Sequence, residues 1–181
     1  GTCALLCAAS GGGKSTLTAA MMRQGWNSLG DDKLLLRIND GKSEVAALLH
    51  TFNLHPKTSQ WFPEVGELER LPTYSIWTEK RKVRMSDIWP GRIATQGSPT
   101  HLVLLDRKVE FTGIEVDPLP PAEIFSTLLR QVVIPKDRVS AGAIVSAILT
   151  TAKTLRGVRV RIGKDAYHDA KCIRTLEAAL L

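Results

Sequence analysis

The chain opens on a short apolar run, Thr2 to Ala9, that stops at glycines, which predicts a central strand buried on both faces as in a parallel sheet. From Lys14 to Gln24 the apolar positions Leu17, Ala20 and Met21 recur at helical spacing, and Gly25 stands where a left-handed residue ends a helix. Apolar runs from Lys33 to Ile38 and from Glu44 to Leu49 flank Asn39-Asp40-Gly41-Lys42, a hairpin signal. His50 to Pro72 carries Pro56, Pro63 and Pro72 with mixed polarity and reads as a long loop. Thr73 to Trp77, Val83 to Ile88, His101 to Leu105 and Val109 to Val116 read as short strands.

Pro120 and Pro121 suit a first helical turn, and Ile124, Phe125, Leu128, Leu129 and Val132 continue as one apolar stripe. A second stripe (Ile144, Val145, Ile148, Leu149, Ala152) places a helix over Ser140 to Leu155. Val158, Val160 and Ile162 alternate with Arg159 and Arg161, an edge or half-exposed strand, before a closing helix from about Ala166 to Leu181. The expected fold is α/β, a mixed, partly antiparallel sheet flanked by helices, in a single domain over residues 1–181.

With 181 residues, 44% hydrophobic and 23% charged, the chain has room for one core and lacks the composition of a disordered or fibrous protein. A net charge of +6 favours anionic partners without choosing among them. Cys3, Cys7 and Cys172 are odd in number and in no metal-ligand spacing, as expected of reduced thiols in a cytoplasmic protein. Ser140 to Ala152, the longest weakly polar run, is shorter than the ~20 residues of a membrane span. The opening at Gly1 without Met suggests a piece of a longer polypeptide.

Chemistry concentrates near the start. Ala8-Ala9-Ser10-Gly11-Gly12-Gly13-Lys14-Ser15 fits a relaxed phosphate-binding loop, with Ala8 where glycine is usual. Glycines let successive N–H groups turn toward an anion, and the helix that follows adds its positive end. Ser10, Gly11, Gly12, Gly13, Lys14, Ser15 and Thr16 are therefore the candidate nucleotide-binding residues. Lys14 would reach the β- and γ-phosphates of ATP, and Ser15 would ligate Mg²⁺. Such a loop needs an acid on a neighbouring element. Asp31-Asp32 is the leading candidate, because adjacent carboxylates repel unless a cation offsets them, and Asp106 at the end of Leu102 to Leu105 is the alternative.

Ser10-Gly11-x-Gly13-Lys14-Ser15, then Arg23 to Gly25, then Gly30-Asp31-Asp32 resembles the catalytic core of the HPr kinase/phosphorylase family, and phosphoenolpyruvate carboxykinases share this type of loop and aspartate pair. The later order is also similar: Lys80-Arg81-Lys82, Leu105-Asp106-Arg107, Asp117-Pro118-Leu119, and a closing strand and helix. The resemblance implies an HPr kinase C-terminal-like P-loop domain. It also implies an ATP- and Mg²⁺-dependent kinase in which Lys14, Asp31 and Asp32 are catalytic and Ser15, Asp31 and Asp32 serve the metal. One aspartate would hold the metal and the other act as base, in an order left open. The chain has no Arg-Gly-x-Gly segment after the aspartates, so the expected acceptor is a hydroxyl on another protein, a peptide or a small molecule rather than HPr.

Lys57, Arg70, Lys80, Arg81, Arg84 and Arg92 are further candidates for clamping phosphate or acceptor, since phosphoryl transfer needs positive charge about the γ-phosphoryl. Trp26, Trp61, Trp77 and Trp89 suit packing better than stacking, and the four histidines have no metal spacing. Arg159 and Arg161 lack the aromatic interleaving of a nucleic-acid surface, so neither nucleic acid nor membrane is an expected partner, while a homo-oligomer is compatible with the sequence. Two other classes stand beside the kinase: a P-loop ATPase switch using Asp106, and a regulatory nucleotide-binding module.

Overall fold

The computed structural model describes residues 1–107 and 110–181. In chain order they form β1 (Ala4–Cys7), α1 (Lys14–Arg23), β2 (Leu34–Asn39), β3 (Lys42–Ala47), β4 (Thr51–Leu54), three short 3₁₀ turns between Pro56 and Arg70, β5 (Thr73–Ser75) and β6 (Thr78–Arg84). There follow α2 (Met85–Ile88), β7 (Gln96–Gly97), β8 (His101–Arg107), β9 (Ile114–Leu119), α3 (Pro121–Leu129), α4 (Arg138–Thr154), β10 (Arg156–Ile162) and α5 (Ala170–Leu180). The architecture is α/β with a mixed sheet flanked by helices.

The main sheet runs β1-β8-β10-β9, with β1, β8 and β10 parallel and β9 antiparallel to β10. Alternation along its strands separates two cores. Ala4, Leu6, Val103, Leu105, Val158, Val160 and Ile162 join the side chains of α1 and α5, while Leu5, Cys7, Leu102 and Leu104 join those of α3 and α4. Asp137 caps α4 by accepting from the N–H groups of Val139 and Ser140, and Asp169 caps α5 by accepting from Lys171 N–H. Two three-stranded antiparallel sheets, β2-β3-β7 and β4-β6-β5, complete the fold. In the β2–β3 hairpin both central residues, Asp40 and Gly41, take positive φ, as a type I′ turn requires. No helix among the described residues is long and apolar enough to cross a membrane.

Several expectations are corrected. The first strand stands at an edge of the sheet, not at its centre, because apolar residues report which faces are covered and say nothing about lateral neighbours. β10 is interior and not an edge, and it is half-exposed as its alternation predicts, with Val158, Val160 and Ile162 on the buried face. Arg159 is paired with Glu123, and Arg161 with Glu115 and Asp117.

The stretch from His50 to Pro72 is not a loop: it holds β4 and three 3₁₀ turns, and buries Phe52, Leu54, Phe62 and Leu68. Phe62, Val65, Leu68 and Leu71 recur three apart, but that 3₁₀ period is neither the 2 of a strand nor the 3.6 of an α-helix, and the three prolines gave the stretch the look of a loop. The strand expected over Val83 to Ile88 ends at Arg84, and Met85–Ile88 is one helical turn. Of the strand expected from Val109, that residue lies outside the described residues, and the observed strand begins at Ile114. The closing helix starts later than Ala166, after a 3₁₀ turn over Asp165–Tyr167.

Candidate functional site

The glycine loop lies between the end of β1 and the start of α1. Gly11 and Gly13 have φ of 73° and 94°, a region that side-chain-bearing residues rarely occupy, and a Cβ on Gly13 would collide with the Tyr167 hydroxyl. Gly13 occupies the N-cap position of α1, with no side chain capping the helix and no acid in its first turn. The start of the helix presents the positive end of its dipole to the loop, and no residue of its own first turn offsets it. The Lys14 ammonium arches back over the loop and donates to the Ala8 carbonyl at 3.1 Å.

Ser15, one residue on, donates its hydroxyl to Asp31 Oδ1 at 2.6 Å. The other oxygen of Asp31 accepts from the main-chain N–H of Asn53 at 3.0 Å, and the Asn53 amide nitrogen donates to Asp32 Oδ2 at 3.3 Å. Burial pushes the Asp31 carboxyl above its ordinary range, with Asp32 adding to the rise. The bonds from Ser15 and Asn53 and the charge of Lys80 offset part of it. Asp32 is exposed and opens onto a cleft of about 800 Å³.

Every predicted nucleotide residue, Ser10 through Thr16, lines that same cleft. Facing them are Asn53, Lys57, Trp61, Trp77, Lys80 and Lys164. With Lys14, three further lysines therefore give the cleft a cationic rim that suits phosphate. Asp31 lies behind Ser15, on the wall of a neighbouring cleft of about 500 Å³ that runs along β1 and also reaches Lys14. The Ser15 hydroxyl and the Asp31 carboxylate, brought together at a helix start, are hard oxygen donors of the kind Mg²⁺ takes while keeping several waters, and Asp32 opens onto the cleft that Ser15 lines. No cluster of three or more His, Cys, Asp or Glu suited to a metal occurs among the described residues.

Of the basic candidates, Lys57 and Lys80 line the cleft, whereas Arg70, Arg81, Arg84 and Arg92 do not. Arg70 pairs with Glu67, and Arg92 donates to the Gly25 carbonyl at 2.6 Å. Asp106 is also absent from the cleft lining. It sits in register with Arg161 on β10 and adds to the negative charge around that guanidinium. Trp61 and Trp77 are on the cleft, while Trp26 donates to Glu177 at 2.6 Å and Trp89 packs against the core.

Sequence reasoning passed over Asn53 and Lys164. Asn53 had one signal, a polar residue between Phe52 and Leu54, both almost completely buried. Lys164 directly follows the apolar end of β10 and carried none.

The three cysteines are free thiols, and burial pushes Cys7 up to about 11 against the pull of the Lys14 charge. No family model matches the chain, and neither a curated protein nor a solved structure matches it.

Proposed function

We propose that the chain is an ATP- and Mg²⁺-dependent kinase of the HPr kinase-like P-loop type, transferring the γ-phosphoryl group to a hydroxyl. The observation that carries this reading is the Ser15 hydroxyl bonded to Asp31 at 2.6 Å at the start of the helix behind a glycine loop, with a second carboxylate, Asp32, open to the cleft that Ser15 lines. In this reading the N–H groups from Gly11 to Ser15 cradle the phosphates, and Lys14 swings from the Ala8 carbonyl to the β- and γ-oxygens. Ser15 and Asp31 would hold Mg²⁺, which would supply neutralisation of the phosphate charge.

The two aspartates then divide the work by position. Asp31, fixed by two hydrogen bonds, serves the metal, and Asp32, facing the cleft, takes the acceptor's proton. The acceptor oxygen bonds to the γ-phosphorus as its bond to the bridging oxygen breaks, giving ADP and a phosphoester. Lys57, Lys80 and Lys164 stand where charge on the transferring group builds up. The acceptor is a hydroxyl on a protein, peptide or small molecule.

Calorimetry with a non-hydrolysable ATP analogue tests the reading. Lys14→Ala should weaken binding about ten- to a hundredfold, the loss of a hydrogen bond to a charged group. Asp32→Asn should leave that binding within about twofold and abolish phosphoryl transfer, whereas Asp106→Asn should be close to wild type in both. Unchanged affinity in Lys14→Ala refutes the nucleotide site. Loss of transfer in Asp106→Asn with retention in Asp32→Asn favours the ATPase-switch class instead.

A further inference from the structure

Asn53 is 8% exposed, and its side chain is only half used. Its amide nitrogen donates to Asp32, and the orientation of the amide follows from that contact, because turning it over would set a carbonyl against a carboxylate. The amide oxygen therefore faces the other way, where it is buried and has no hydrogen-bond partner. A buried carbonyl oxygen without a donor is destabilising, so a polar side chain here, between buried Phe52 and Leu54, is the opposite of what packing alone selects. The residue lines the same cleft as Ser15, Asp32 and Lys80, and its own main-chain N–H holds Asp31. One residue thus touches both aspartates and keeps an acceptor ready for something that enters with a hydrogen to give.

We propose that Asn53 is a positioning residue of this site, its amide NH₂ holding Asp32 and its amide oxygen accepting a hydrogen bond from a water on the bound Mg²⁺. The inference rests on the kinase reading of the cleft. Mg²⁺ dehydrates reluctantly and keeps several of its waters, and a water on a dication is a strong donor. Partners just outside the ligand shell orient what the metal holds, and their loss typically weakens metal binding tenfold or more. The main-chain bond to Asp31 is available to every residue but proline at position 53, so Asn53→Leu and Asn53→Ser remove only the side chain's share.

The test is the ratio of ATP-analogue affinities in saturating Mg²⁺ and in EDTA, measured by calorimetry without any acceptor. In Asn53→Leu, which keeps the branched shape and removes both polar atoms, the ratio should fall roughly tenfold while the EDTA affinity stays within twofold. Asn53→Ser, too short to reach Asp32, should behave the same way and serves if the leucine variant fails a thermal-melting check. An unchanged ratio overturns the inference and leaves the kinase reading standing, as does an equal loss in Mg²⁺ and EDTA. An unchanged ratio with a raised KM for the acceptor assigns the oxygen to the acceptor and likewise overturns it. A wild-type chain that binds no analogue under either condition overturns the kinase reading, and the inference with it.

Discussion

His101 begins β8 with its ring buried, Nδ1 3.0 Å from the Thr100 hydroxyl, and its partner in register is Arg156 on β10. Burial and the Arg156 charge hold the imidazole below its ordinary value of 6.5. The folded state therefore takes up a proton less readily than the unfolded chain. Linkage then sets the sign: this contribution is intact above the unfolded value and is lost as pH falls through the depressed folded one. Thermal melts should show wild-type stability declining from pH 7 to pH 5 more steeply than that of His101→Gln, whose amide can still bond Thr100. Parallel curves would show that His101 is not a source of the acid sensitivity. Gly13 shows the same dependence of a residue on its surroundings, since both its φ of 94° and the Tyr167 hydroxyl exclude a side chain.

Among the elements, the segment between β3 and β5 departs most from its sequence pattern. Phe52 and Leu54 on β4, then Phe62 just before the second 3₁₀ turn and Val65 and Leu68 in the turns, enter the core shared with α1 and α5. The guanidinium of Arg23 covers the Phe62 ring at 4.5 Å from its centroid and pairs with Glu64, tying the segment to α1. Phe62→Ala should cost about 3–5 kcal/mol in denaturant unfolding, the range for removing a buried aromatic ring. A loss under about 1 kcal/mol would mark the segment as a surface excursion after all. Because β4 carries Asn53, the packing of Phe52 and Leu54 also sets where the Asp31 and Asp32 contacts fall.

At the scale of the molecule, stability should be uneven, since layers cover the sheets unequally. β8 and β10 are interior strands of a sheet with helices over both faces, whereas the residues of β2 are almost all exposed. Amide hydrogen exchange should find the greatest protection on β8 and β10 and the least on β2 at its free edge. Equal protection across the two sheets would instead mean one fully cooperative unit. The glycine loop joins the main sheet to α1, and Asn53 holds the two aspartates from the β4-β6-β5 sheet, so the site draws on two of the three sheets.

The glycine loop and its helix, the hairpin at Asp40-Gly41 and most of the stripes of α3 and α4 were legible in the sequence because each is determined locally, although Val132 falls beyond the end of α3 and both it and Leu149 are exposed. Positive φ calls for glycine, two proline rings suit a helix start, and a period of 3.6 needs no knowledge of neighbours. Asp31-Asp32 was legible for a related reason, since repulsion between adjacent carboxylates is a property of the pair alone. Only the tertiary structure decided that Asp31 meets Ser15, that Asn53 touches both aspartates, and that Asp106 belongs with Arg161. It also decided that β1 is an edge and β10 is interior. Hydrophobic patterning encodes which face of an element is covered, whereas lateral order and contacts between distant segments arise when separate faces compete for the same core, and no local period records that competition.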